Sequence, residues 1–258
     1  MSLEWGKLLS SGRRKTRAGK GGSTHTEKGW EELERDYDRI LFATPTRRLA
    51  DKTQVFPLEK NDSVRTRLTH SHEVANLARS IGIRIAFDHA KDVFGPKHEE
   101  LQIQRTVPAL LAAIGLSHDL GNPPFGHQGE VAIQSWFAEM DQEGGKLEGQ
   151  IHADFLEFDG NAQSFRLLTR LQTLNDDFGL NLTDATLTSL LKYPSFHNSK
   201  VNAHEKWGVF ESERKVAEEI WKYTGLAEEQ RHPLTYVSAG VRAGLFAATF
   251  FAPKRAGL

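Results

Sequence analysis

Apolar positions recur along most of this chain at helical spacing. Val74, Leu77, Ala78, Ile81 and Ile85 fall at i, i+3, i+4, i+7 and i+11, one stripe of an amphipathic helix. Val107, Leu110, Leu111 and Ile114 repeat the pattern, with Pro108 tolerable in a first turn. Ile133, Trp136, Phe137 and Met140 follow it again. The run DQEGGKLEGQ then breaks the periodicity and predicts a loop. Leu167, Leu171 and Leu174 mark a further helix, and Leu187, Leu190 and Leu191 a short one that Pro194 stops. Val216, Ala217, Ile220 and Trp221 mark the last, with Gly225 placed to cap it. Strand-like alternation is confined to Thr53–Leu58 and Ile151–Phe158, enough for a small hairpin. The expected fold class is all-α, at most with a small β-hairpin, and no internal linker divides residues 30–236.

Composition narrows the chemistry. The 258 residues are 38% hydrophobic and 26% charged, an ordinary globular balance, and the net charge of −1 gives no bulk attraction for polyanions. Cysteine is absent, which removes disulfides, thiolate metal sites and a thiol nucleophile, and leaves eleven histidines as the nitrogen ligands available. The opening residues MSLEWGKLLS lack a long apolar stretch, so no signal peptide is expected and the cytoplasm is the default location. Residues 7–28 are rich in Lys, Arg, Gly, Ser and Thr; the expectation is a flexible basic arm over 1–29, with contact to nucleic acid as the sharper alternative.

Two segments concentrate reactive side chains: His70 in RTRLTHS, and SHDLGNPPFGHQGE over 117–130. His118 and Asp119 follow an apolar helix, and Gly121 with Pro123 and Pro124 then turns the chain. An imidazole and a carboxylate at the end of a buried helix suit one divalent ion, and His70 stands near the start of another helix. Nitrogen and oxygen donors without sulfur suit Mn²⁺, Mg²⁺, Fe²⁺, Co²⁺, Ni²⁺ or Zn²⁺ rather than a soft metal. His127 and Glu130, three apart, share a helical face, where a carboxylate orients an imidazole and raises its basicity for proton transfer.

The surrounding text resembles the deoxynucleoside triphosphate triphosphohydrolases, the dGTPase-like branch of the HD-domain hydrolases. The matching blocks are RRLADKTQVFPLEKNDSVRTRLTHSHEVANLAR (47–79), GLSHDLGNPPFGHQGE (115–130), FDGNAQSFRLLTRLQ (158–172), LNLTDATLTSLLKYP (180–194) and HPLTY (232–236), in the family's order. The resemblance implies the all-α HD fold over 30–236. It makes His70, His118 and Asp119 metal ligands, and His127 and Glu130 the catalytic pair. It implies a reaction that turns a dNTP and water into deoxynucleoside and tripolyphosphate. Arg67, Lys192 and Tyr193 match phosphate-contacting positions. Gln54 matches the residue that bonds the sugar 3′-OH, with Val55 crowding a 2′-OH. Asn122 stands where some relatives carry His, and counts as a further substrate-side candidate. A homo-oligomer, hexamer or tetramer, and no membrane segment are also implied.

The resemblance stops after Tyr236. Relatives continue with an acidic segment whose Asp completes the metal site, whereas VSAGVRAGLFAATFFAPKRAGL contains no Asp or Glu. The expectation is therefore a frame shifted or incomplete after Tyr236, a tail over 237–258 unlike the family, and a site one carboxylate short, with weakened activity and apolar surface uncovered around Trp221. Two other functions compete: an HD-type 5′-nucleotide phosphomonoesterase or phosphodiesterase, and a non-catalytic nucleotide- or single-stranded-DNA-binding relative using the basic arm.

Overall fold

A computed structural model describes residues 3–20, 31–54, 64–142, 154–171, 176–197, 206–237 and 240. Over these the chain is helical. The elements run α1 (Trp5–Leu8), α2 (Arg14–Arg17), α3 (Glu32–Leu41), α4 (Thr44–Arg48), α5 (Arg67–Asp88), α6 (Ala90–Phe94), α7 (Ile103–Ser117), α8 (His127–Gln142), α9 (Gly160–Thr169), α10 (Asp184–Ser189) and α11 (Arg214–Thr224). No strand occurs among the described residues, only isolated bridges. One of these, Thr53 to Thr66, lies in the first candidate hairpin region, most of which falls outside the described residues. The second candidate fails where it is described: residues 154–156 form a helical turn.

The centre of the molecule is the pair α5 and α7. Ala75 faces Gly115 and Gly82 faces Pro108 and Leu111, so the two helices run antiparallel and the start of α5 meets the end of α7. Small residues make this approach possible: a Cβ on Gly115 would sit 2.7 Å from Ala75 Cα. This corrects the expected stripe on α5. The buried face is His70, Ser71, Val74, Ala75, Ala78, Gly82 and Ala86, whereas Leu77 and Ile81 are about two fifths exposed. Close backbone contact with α7 selects the smallest side chains for the interior and turns the face by part of a turn. Pro108 lies beyond the first turn of α7, packed against Gly82. Nearly every residue of α7 from Thr106 to Ser117 is buried, which fits an apolar helix surrounded by others.

Two apolar clusters flank this pair. One gathers Ile40, Leu49, Leu116, Phe165, Phe196 and Trp221; the other gathers Trp5, Leu8, Val74, Ile103, Leu110 and Leu234. Trp221 is 3% exposed and meets Phe196 edge-on, so the surface expected to be bare around it is covered. α8 and α11 occupy the expected segments, α10 ends at Ser189, and Gly225 ends α11 at φ 71°. The helix expected around Leu167, Leu171 and Leu174 lies earlier: α9 closes at Thr169, Leu171 is exposed beyond it, and Leu174 lies outside the described residues. Of the loop expected over 141–150, residues 141–142 still belong to α8 and the rest lies outside the described residues.

The flexible arm expected over 1–29 does not describe residues 3–20. Trp5, Leu8 and Leu9 are buried, and Trp5 Nε1 donates to the Val93 carbonyl at 2.8 Å. The basic residues behind them are paired. Arg13, itself buried, reaches Glu32 at 2.6 Å and Asp36 at 2.7 Å; Arg17 reaches Asp184 at 2.6 Å and Glu219 at 2.9 Å; Lys15 reaches Asp176 at 2.6 Å. A run of cations looks solvated in sequence because its acids are supplied by helices up to some 200 positions away. The same pairing engages Arg13, Lys15 and Arg17, cations on which the DNA-binding alternative relied. Residues 21–30, and the tail apart from Val237 and Gly240, lie outside the described residues.

Candidate active site

The antiparallel α5–α7 pair brings its two reactive ends together. Thr66 caps α5 by accepting from Thr69 N, which sets His70 in the first turn. α7 ends at Ser117, so His118 and Asp119 emerge beside that turn. One donor atom each from His70, His118 and Asp119 lies within 4.8 Å of the others, and the two imidazoles meet edge-on with centroids 5.3 Å apart. No fourth carboxylate joins the cluster among the described residues. The continuation after Tyr236, where relatives carry that Asp, lies almost wholly outside them.

The donor set is prepared for a cation. His118 Nδ1 is held by the Gly115 carbonyl at 2.7 Å, which presents Nε2 toward Asp119 Oδ1 at 3.3 Å. An imidazole with one nitrogen committed to a carbonyl offers the other as a ligand. Burial keeps His70 below the ordinary imidazole range, so it is the neutral, ligating form that is favoured. Burial alone would raise the Asp119 carboxyl, but His118, Arg67 and His70 outweigh it and hold the group ionised below the usual range. Two imidazoles and one carboxylate thus fit a borderline or hard divalent ion.

His127 opens α8, after the short loop that follows Ser117. Its Nδ1 meets Glu130 Oε2 at 2.6 Å, and Glu130 Oε1 accepts from Gly160 N at 3.0 Å, the first residue of α9. Gly160 is required there because a Cβ would stand 2.7 Å from Glu130 Oε1 and 2.4 Å from Asn122 Oδ1. The carboxylate is fixed at both oxygens, whereas the His127 side chain is 79% exposed and open to a substrate.

The substrate candidates divide. Arg67 is buried and donates to Asp119 Oδ2 at 2.9 Å, so it holds the His–His–Asp cluster as well as adding positive charge. Asn122 Nδ2 donates to Asp119 Oδ1 at 2.8 Å, which makes it a positioning residue for the cluster. Lys192 borders a small cleft with Ser117, His118 and Asn161, and its ammonium stands 5.1 Å from the Tyr193 ring. Gln54 Oε1 is shielded from solvent with no hydrogen-bond partner among the described residues, an acceptor suited to a hydroxyl. Val55 lies outside the described residues.

Lys52 was missed by sequence reasoning, although it sits inside the block DKTQV. Its Nζ donates to the Asn122 carbonyl at 2.7 Å, and its own carbonyl accepts from Arg67 N at 2.8 Å. Burial, then the nearby Arg67 and Arg48, lower its pKa, as expected for an ammonium in a cationic site. Only the contact across 70 positions reveals it. A cavity of about 720 Å³ lies elsewhere, between α3, α5 and α7, beside Tyr37, Ile83, Phe87 and Pro108. Chemistry rather than size locates the site.

Residues 67–159, which bring the His–His–Asp cluster to the meeting point of two antiparallel helices, match the HD domain family. Three similar proteins carry the description deoxyguanosinetriphosphate triphosphohydrolase-like protein. That of Listeria monocytogenes is 41% identical, over 91% of this chain and 52% of that protein. Those of Synechocystis and Pseudomonas aeruginosa are 40% and 38% identical, over 91% of this chain and 56% and 53% of theirs. The chain belongs with these deoxyguanosinetriphosphate triphosphohydrolase-like HD-domain proteins, and spans about half their length.

Proposed function

We propose that the chain takes part in hydrolysis of deoxynucleoside triphosphates, dGTP among them, to deoxynucleoside and tripolyphosphate. The observation that carries this reading is the pairing of the His70–His118–Asp119 cluster with an exposed His127 oriented by Glu130 in the first turn of α8. A divalent ion, Mn²⁺ or Mg²⁺ first among the candidates, would when bound polarise a phosphate oxygen and acidify a water.

The chain's own groups do the rest. Water adds at the α-phosphorus, the bond to the 5′ oxygen breaks, and the departing alkoxide takes one proton. His127 is placed to transfer a proton, and Glu130 holds its Nδ1 so that Nε2 faces the reactants. Lys52, Arg67 and Lys192 spread the charge of a substrate carrying about four negative charges. Gln54 Oε1 accepts from the 3′-OH. Assembly as a hexamer or tetramer and a cytoplasmic place of action go with this reading.

Product analysis tests it. With Mn²⁺ and dGTP, tripolyphosphate and deoxyguanosine are expected. Release of orthophosphate, or of pyrophosphate with dGMP, sinks the proposal and favours a different phosphoesterase.

A further inference from the structure

The turn between the metal cluster and the acid–base pair holds a side chain that the mechanism does not use. Phe125 has φ +67° and Gly126 φ +57°, two successive left-handed residues. Glycine or asparagine holds such a turn with little strain; a bulky aromatic does not. The Phe125 ring is also 70% exposed and belongs to none of the apolar clusters formed by the described residues. The fold therefore keeps a strained backbone and an uncovered ring at one position, and the turn itself needs neither.

The turn is held firmly. Gly126 N donates to the Pro123 carbonyl at 3.1 Å, and Glu130 N donates to the Gly126 carbonyl at 3.0 Å. On one side Gly126 backs onto Arg67, where a Cβ would stand 2.9 Å from Nη2; on the other, Gly129 lies so close to Pro124 that a Cβ would meet its carbonyl oxygen. Phe125 is thus displayed two residues before His127 by a turn wedged against the Arg67 that holds Asp119. Strain kept at such a place points to use.

We propose that the Phe125 ring packs against the nucleoside half of the substrate, on the face of the deoxyribose and base beside the departing 5′ oxygen. This rests on the triphosphohydrolase reading. The phosphate half needs cations, and those lie at Lys52, Arg67 and Lys192. An apolar ring instead matches sugar C–H groups and the π-face of a base. Closure over it also removes water from His127.

The test uses the full chain carrying His127→Ala, so that ligand binds without turnover. Binding of dGTP and of tripolyphosphate is measured with Mn²⁺, with thermal melting and oligomeric state followed in parallel. Phe125→Ala is expected to weaken dGTP about 5- to 150-fold, the range for loss of one base–aromatic contact, and to leave tripolyphosphate unchanged. Phe125→Leu is expected to lose less. Phe125→Gly is expected to lose dGTP affinity while its Tm stays equal or rises, because the strain is relieved. Unchanged dGTP affinity in all three variants overturns the inference and leaves the hydrolase reading standing. So does a parallel loss for both ligands, or a change of oligomeric state, which would assign the ring to a subunit contact. Failure of the His127→Ala chain to bind either ligand overturns the inference together with the reading on which it rests.

Discussion

His232 offers a quantitative check on how the first residues are anchored. It is fully buried; its Nε2–H donates to the Leu8 carbonyl at 3.0 Å, and its Nδ1 accepts from Leu234 N at 3.2 Å. Both nitrogens are in use only in the neutral ring, because protonation removes the acceptor. Burial lowers its pKa from 6.5 to about 4, against a smaller opposing effect of the Leu8 bond. The unfolded chain therefore binds a proton that the folded chain refuses. Stability from this group is complete above pH 6.5 and drains away as pH falls toward 4, by about 3 kcal/mol across the window. Replacement His232→Gln keeps one donor and one acceptor but cannot titrate. Urea unfolding at steps between pH 7.5 and 4.5 should show a steep decline for the native chain and a shallower one for the variant. The native decline contains a contribution of the same sign from His70, which burial also depresses, so the difference between the two curves is the quantity to read. At pH 7.5 the variant should be less stable by about 1–2 kcal/mol for imperfect bonding. Parallel curves across the window would refute the buried neutral His232, and with it the docking of Leu8 beneath residues 232–234.

The other predictions concern the site and its frame. Asn122→Ala removes the amide at 2.8 Å from Asp119 and should weaken Mn²⁺ binding about 10–100-fold in calorimetry; an affinity within twofold of the native one refutes its positioning role. His127→Ala should cut turnover of dGTP about 10²–10⁴-fold while nucleotide still binds, and a near-normal kcat would remove His127 from the chemistry. Gly115→Ala forces a Cβ to within 2.7 Å of Ala75 Cα, so the α5–α7 pair must part at a cost of about 1–3 kcal/mol, read as a lower Tm with weakened Mn²⁺ binding. Arg13→Ala leaves Asp36 buried without its cation and should cost about 3–5 kcal/mol by urea unfolding; a loss below 1 kcal/mol would return the first twenty residues to the status of a loose arm.

Much of the site was readable without coordinates. His118 and Asp119 are adjacent at the end of an apolar helix, and His127 and Glu130 are one helical turn apart, which places the second pair on one face. Helix positions followed from apolar periodicity, because burial on one side imposes it. What periodicity could not show was which face of α5 is innermost: Leu77 and Ile81 look like core, yet the near contact of Gly115 with Ala75 reserves the interior for alanine, serine and glycine.

Sequence by itself determined the all-α class, the family, and the identity of the cluster's donors, since these depend on residue type and near-neighbour order. Tertiary structure decided what depends on partners distant in the chain. It turned the basic arm of residues 3–20 into a buried, ion-paired segment, because the carboxylates of Glu32, Asp36, Asp184 and Glu219 lie far along the sequence. It joined Asn122 to Asp119 and Lys52 to the Asn122 carbonyl, through bonds at 2.8 and 2.7 Å that no local pattern announces. Burial and pairing are properties of the folded neighbourhood, and charge in a sequence carries no record of where its counter-charge will stand.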